Sequence, residues 1–363
     1  MIAQLKRIWF WAMQHRLLAV VALVATIAFT FYAITTIRTV GFVQWLGVEH
    51  KTIWDVVALA GIPAVLAIGA YLFNRSERRT DREIADSRRK ADNALTERRL
   101  TAEREIATER WREEALQSYI DRMADLLLDK GLRDPSDKKQ SEAQSVAITR
   151  THAVLRGLDG KRKGTVVRFL GDAGLLKDPQ PIVTLAGADL AGADLNNANL
   201  EDAELTGANL SQAKLSRSSM AGATLENAVL TGADLSEALL LQTVFLNAEL
   251  GNASLYEATL SGADLRGANL AGAILDRAEM DRADLSTALL EQASLDEAEL
   301  AGANLRDALF VGASLVRANL TAANLKAASF SNANLRECVV TPEQLTSARS
   351  LSGATMPDGT KHE

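Results

Sequence analysis

A step of five residues governs the C-terminal half of this chain. From Leu185 to Val340 every fifth position is apolar, 32 in succession without a break in register. Leucine fills 26 of them, and the rest are Met220, Phe245, Met280, Phe310, Phe330 and Val340. Two residues before each centre stands alanine in 28 of 32 cases, the exceptions being Val183, Ser218, Thr243 and Cys338. The residue between is usually polar, as in Ala188-Asp189-Leu190.

This period fits neither common element. Five residues of α-helix advance about 500°, a net turn of about 140°, which scatters the leucines around the cylinder. On one straight strand an odd period sends alternate leucines to opposite faces. All centres point inward only if each pentad is a short extended piece followed by a bend, and four bends of about 90° close a square coil. Glycine stands three residues before ten of the centres, Gly187, Gly192 and Gly207 among them, and eases the corners. Runs such as Ala188-Asp189-Leu190-Ala191-Gly192 and Ala263-Asp264-Leu265-Arg266-Gly267 resemble the pentapeptide-repeat family, with its A-(D/N)-L-x-x consensus. The resemblance implies a right-handed quadrilateral parallel β-helix over residues 181–345. At four pentads per turn it makes about eight coils, ~38 Å long at ~4.8 Å per coil. Leu190, Leu195, Leu200, Leu265, Leu305, Phe310 and Phe330 are expected inside it. Phe310 and Phe330 lie 20 residues apart, hence one coil apart on one face. Met220 and Met280 share another. Cys338 replaces an inward alanine and reads as a buried structural thiol.

The N-terminal part has a different solvent. Residues 17–37 carry no charge, and residues 53–73 carry only Asp55. Both have the length of a membrane span, about 20 residues. A signal peptide is the alternative for the first, but no small-x-small site follows it. Residues 1–75 are therefore expected to form a transmembrane hairpin. Pro63 falls in the middle of the second span, where it kinks or loosens a helix. Asp55 either lines a water path or reaches the interface. Lys6, Arg7 and Arg16 precede the first span and Arg75, Arg78, Arg79 and Arg82 follow the second. The positive-inside bias then puts both termini in the cytoplasm of a bacterial inner membrane. Trp9, Trp11, Trp45 and Trp54 sit where interfacial aromatics belong.

Residues 76–130 lack proline and glycine and favour helix. Up to Arg110 no heptad seam is evident, so a solvated single helix and a loose coiled coil both remain open. Trp111, Ala115, Leu116, Tyr119, Ile120, Met123, Leu126 and Leu127 then form a broad stripe, which requires a partner, expected in residues 146–176 of the same chain or of another copy. Residues 131–180 read as a small helical capping module with helices at 142–158 and 166–170. Lys161-Arg162-Lys163 lies before the latter as a loop cluster, either solvated or a site for phosphate or lipid headgroups. Thr341-Pro342-Glu343 begins a C-terminal cap, and residues 346–363 read as a tail, disordered from 349 on.

Charge separates the two halves. Residues 181–345 hold 22 acidic and nine basic side chains, about −13 net, while residues 1–180 carry about +7. No Gly-rich phosphate loop, metal-ligand spacing or nucleophile set accompanies the repeat, so neither an enzyme nor a cofactor or metal is expected. The leading expectation is a membrane-anchored scaffold that presents an acidic rod to a protein partner, with membrane lipid at the anchor and homo-oligomers allowed. One alternative is an oligomeric pore built on Asp55 and Pro63. Another follows from the resemblance: a branch of the family mimics DNA and occupies gyrase, although Arg266, Arg277, Arg282, Arg306 and Arg317 interrupt the acids. Nucleic acid itself is not expected as a partner.

Overall fold

The computed structural model describes residues 62–128, 140–177 and 181–363, together with six helical residues between Val24 and Tyr32. It divides into two units, residues 1–100 and 101–363. Asp55 and most of the two apolar stretches lie outside the described residues. Among the described residues no helix is long and apolar enough to cross a membrane. Pro63 is the second residue of the first long helix, α1 (Ile62–Leu128).

α1 runs unbroken through the charged segment, as its Arg, Glu and Ala content requires. Its last turns meet α2 (Gln140–Gly157) and α3 (Gly160–Asp172). The expected stripe is covered there: Leu116, Tyr119, Met123 and Leu126 are buried in one core with Ala147, Leu155, Leu158, Val166, Val167 and Leu170. The Tyr119 hydroxyl shares a 2.9 Å hydrogen bond with Thr151, which is itself fully buried and donates to the Ala147 carbonyl. Burial pushes that phenol up to about 12. Trp111 lies over Gly157, where an added Cβ would stand 2.4 Å from its ring.

The expectation for Lys161–Lys163 is corrected here. The three are not in a loop but in the first turn of α3, which is capped by Asp159, whose carboxylate accepts from the Arg162 N–H. Two of them are spent internally. Arg162 pairs with Glu109, Glu113 and Asp159 at 3.0, 3.1 and 2.5 Å. Lys163 is buried and reaches Asp189 at 3.3 Å.

From Val183 the chain winds as expected. Each residue preceding a centre pairs in parallel with the one twenty positions on, from Asp189 with Asn209 to Asn319 with Val339. The inward alanines and the centres from Leu185 to Leu335 are buried, nearly all completely. Leu190, Leu195, Leu200, Leu265, Leu305, Phe310 and Phe330 are each 0% exposed. Phe310 and Phe330 stack with centroids 4.9 Å apart and planes within 9°. Aromatic pairs usually prefer offset or edge-on contact. Here the coil rise places the same ring one strand spacing higher and imposes the near-parallel stack.

The corners are β-turns closed by the alanine N–H on the preceding leucine carbonyl, as in Ala193 to Leu190 at 3.0 Å. The third residue of each has a positive φ, the signature of a type II turn. Glycine takes that place ten times between 187 and 337, yet 21 residues with side chains take it too, from Asn197 at 57° to Glu337 at 59°. Polar inward substitutes are satisfied by main-chain carbonyls: Thr243 donates to Met220, Ser218 to Leu215 and Cys338 Sγ to Ala318. Burial lifts the Cys338 thiol to about 12.

Residues 349–363 are not a disordered tail. A short helix, α4 (Pro342–Thr346), adds one residue to the last turn, so that Ser329 pairs with Ser350 and Asn334 with Thr355, twenty-one apart. Ala354 is fully buried. The chain then folds back, Thr355 pairing antiparallel with Lys361. An open strand end needs hydrogen-bond partners, and this hairpin supplies them.

Candidate interaction surface

Because Ala and Leu fill the interior, chemistry is confined to the outside of the coils. Three positions of each pentad face outward: the polar residue before the centre and the two corner residues after it. Repetition every twenty residues stacks like positions into columns. One corner column reads Arg217, Glu237, Glu257, Arg277, Glu297, Arg317, Glu337. Its members pair between coils: Arg217 with Glu237 at 2.8 Å, Arg277 with Glu297 at 2.9 Å and Glu257 at 3.5 Å, Arg317 with Glu297 at 3.1 Å and Glu337 at 2.9 Å. The arginines hold Glu237, Glu297 and Glu337 below the ordinary carboxylate range. Amide–carboxylate contacts run up other faces, Asn269 to Glu249 and Asn319 to Glu299 at 2.8 and 2.7 Å. The negative charge of this one column is thus tied down.

Large aliphatic side chains also reach the outside at Val229, Ile274, Leu289 and Val339, and one further coil brings four together. Leu239 and Leu241 are exposed at 47% and 42%, and Val244 and Leu246 are half-buried beside them. Only the exposed Gln242 interrupts them among the outward positions, so they make a largely apolar band around one corner and onto two faces. The coil before places Ser219, Ala221, Thr224 and Glu226 at the equivalent positions, and the coil after places Thr259, Ser261, Asp264 and Arg266 there. Sequence reading missed this band because the centres Leu240 and Phe245 keep the register and the eye follows them. The signal was present in the run Leu239-Leu240-Leu241, where the flanking positions are normally polar.

Of the residues singled out from the sequence, the repeat centres are brought into one interior column and Asp55 falls outside the described residues. Among the described residues no cluster of metal-ligating side chains occurs.

The family description "Pentapeptide repeats" matches eight copies, within residues 184–222, 218–255, 253–292, 284–310 and 303–341. HetL of the cyanobacterium Nostoc sp. strain PCC 7120, a pentapeptide-repeat protein involved in heterocyst differentiation regulation, is 32% identical over 53% of this chain and 97% of its own, with a TM-score of 0.27. The chain belongs to the pentapeptide-repeat family. A second such protein of Nostoc, alr5209, is 36% identical over 28% of this pentapeptide-repeat protein and 69% of its own length, with a TM-score of 0.13. QnrB1, a plasmid-mediated fluoroquinolone resistance protein, is 20% identical over 48% of this chain and 82% of its own, with a TM-score of 0.29. Comparison with curated proteins returns no match.

Proposed function

We propose that this pentapeptide-repeat protein is a non-catalytic scaffold, held at the bacterial inner membrane by residues 1–75 with both termini cytoplasmic, whose β-helix binds a protein partner. The observation that carries the reading is the exposed Leu239–Leu241 band, bordered in the neighbouring coils by Ser219, Thr224, Glu226, Thr259, Ser261, Asp264 and Arg266. A coherent apolar patch rimmed by polar residues is a recognition feature, and a scattered exposed leucine is not. The charge-free stretch 17–37 and the flanking arginines support the anchor. The arginine column argues against a DNA mimic, because a phosphate-like array needs unpaired negative charge.

The test uses the full chain expressed in bacteria. Proximity crosslinking from membranes is expected to recover a defined partner that is lost with Leu239→Asp and Leu241→Asp, the circular dichroism being unchanged. Retention of the same partner by this variant would remove the band from the reading. The chain should stay in the carbonate-washed membrane pellet. Recovery in the soluble fraction would remove the anchor.

A further inference from the structure

The flank of the β-helix that carries the band from Leu239 to Leu246 is acidic on both sides of it. Like positions recur every twenty residues, so the columns through the band can be followed along the rod. Before the band they bring Asp202, Glu204 and Glu226, and after it Glu279, Asp281 and Asp284. Glu201 is held by Lys177 at 3.0 Å and Asp264 by Arg266 at 2.7 Å, but these six make no ion-pair contact among the described residues. Arg282 stands in their midst and leaves the set strongly negative. Glu204 and Asp284 lie in the column of Val244 itself, two coils to either side. At ~4.8 Å per coil each is about 10 Å from the band.

These charges decide what can cover the band. A second copy seated band to band would bring the same acids against their like, which costs affinity. An anionic bilayer surface is repelled for the same reason. An added strand finds no ladder to join, because the main chain of the band is already spent between coils. The Leu239 N–H donates to the Ser218 carbonyl and the Val244 N–H to that of Ala223, while their own carbonyls accept from Met220 and Leu225. A helix satisfies its own backbone and needs only side-chain contacts for its apolar stripe. Laid along the rod at 1.5 Å per residue, it covers the distance from the band to either acidic group in about six or seven residues.

We propose that the band seats an amphipathic helix of a partner protein, lying along the rod, whose apolar centre is flanked on both sides by lysine or arginine about six or seven residues away. The aliphatic contacts hold the helix, and the two acidic groups steer its approach and select its charge pattern. The inference rests on the reading of the band as a binding surface and adds the chemistry of what is bound.

The experiment uses the full chain in a non-ionic detergent and a fluorescent synthetic helix of about twenty residues, with leucines at its centre and arginines about six or seven residues to either side. Fluorescence anisotropy is expected to show saturable binding at micromolar concentration. A peptide with glutamates in place of the arginines should bind about tenfold or more weakly. Leu239→Asp with Leu241→Asp should cost a similar factor. Glu204→Gln with Asp284→Asn removes two charges and keeps acceptors for the Thr206 and Ser286 N–H groups; it should weaken binding about fivefold. Glu237→Gln, in the arginine-paired column, should leave binding unchanged, and circular dichroism checks the fold of each variant. Equal binding of the glutamate peptide, or full binding after loss of the Glu204 and Asp284 charges, would overturn the proposal and leave the band a binding surface of another specificity. Full binding by the Leu239→Asp, Leu241→Asp variant would overturn both the proposal and the reading on which it rests. No saturable binding of the arginine peptide would overturn the proposal, and so would a dimer in light scattering that Leu239→Asp abolishes, which assigns the band to a second copy.

Discussion

Single residues in the β-helix answer to two separate demands, and these demands conflict at the corners. The inward positions reward size and shape. Phe330→Ala should cost about 3–5 kcal/mol and Leu265→Ala about 2–5 kcal/mol, read in urea melts, because both side chains are fully buried. A loss under 1 kcal/mol at Phe330 would mean that the core refills the space. The corner positions instead require a backbone conformation that costs L-residues roughly 1–2 kcal/mol each. Asn and Asp soften this with local hydrogen bonds, but Ala322 and Ala327, at 56° and 59°, have no such means. Ala322→Gly and Ala327→Gly should therefore each stabilise the fold, by about 0.5–1 kcal/mol after allowance for the freer unfolded chain. A destabilised double variant would show that the corners are not strained.

At the scale of elements, the ends of the solenoid are where the sequence was hardest to read. The inner column was legible because one residue type recurs at one spacing. The N-terminal cap has no such repetition, and its signal is three glycines. Gly160, Gly164 and Gly171 face the first coil, and an added Cβ would stand 1.9, 1.9 and 2.7 Å from the carbonyls of Gly192, Asp194 and Asn199. Lacking side chains there, α3 lies directly on the exposed strand edge and supplies what a preceding coil would have supplied. The Asp194 N–H donates to the Gly160 carbonyl at 2.8 Å. Lys163 donates to the Ala191 carbonyl at 3.2 Å and Arg168 to that of Asp194 at 2.9 Å. This is the role of Lys163 from the basic cluster that looked like a loop: only pairing across 28 residues reveals it. Gly164→Leu should lift the cap, so that limited proteolysis cuts between 140 and 177 while the β-sheet signal persists. Protection equal to the wild type would refute the close seat. The C-terminal cap hid for a different reason. Gly359, Asp358 and other small polar residues resemble a tail, and the repeat-like run Leu351-Ser352-Gly353-Ala354-Thr355-Met356 stands one residue out of register.

The corner column of Arg217, Arg277 and Arg317 also acts as an element, with a definite pH sign. Its glutamates have folded-state values below the ordinary 4.5, with hydrogen bonds from the arginines as the first cause. Their contribution is present at neutral pH and is lost as the pH falls through those depressed values. The thermal midpoint should thus drop below about pH 4.5. The drop should be shallower in Arg277→Gln with Arg317→Gln, in which the glutamates have no partner to lose. An unchanged acid profile would show the column to be ornamental, as exposed ion pairs often are.

For the molecule as a whole, the consequence of equal pairing between each coil and the next is that length becomes a free variable. The coils repeat one ladder and, apart from substitutions such as Thr243, Phe245 and Phe310, one interior of Ala and Leu, while α3 and the final hairpin close the ends. Excision of residues 251–270 would bring Leu250 to Ala271 and leave every remaining pair in phase. Such a chain should fold with both caps intact and a stability lowered by about one repeat's share. Removal of nineteen or twenty-one residues would put every later leucine out of phase. Genes of this construction can therefore grow or shrink by duplication in whole turns, which gives such a solenoid an adjustable reach without the need to invent a new end.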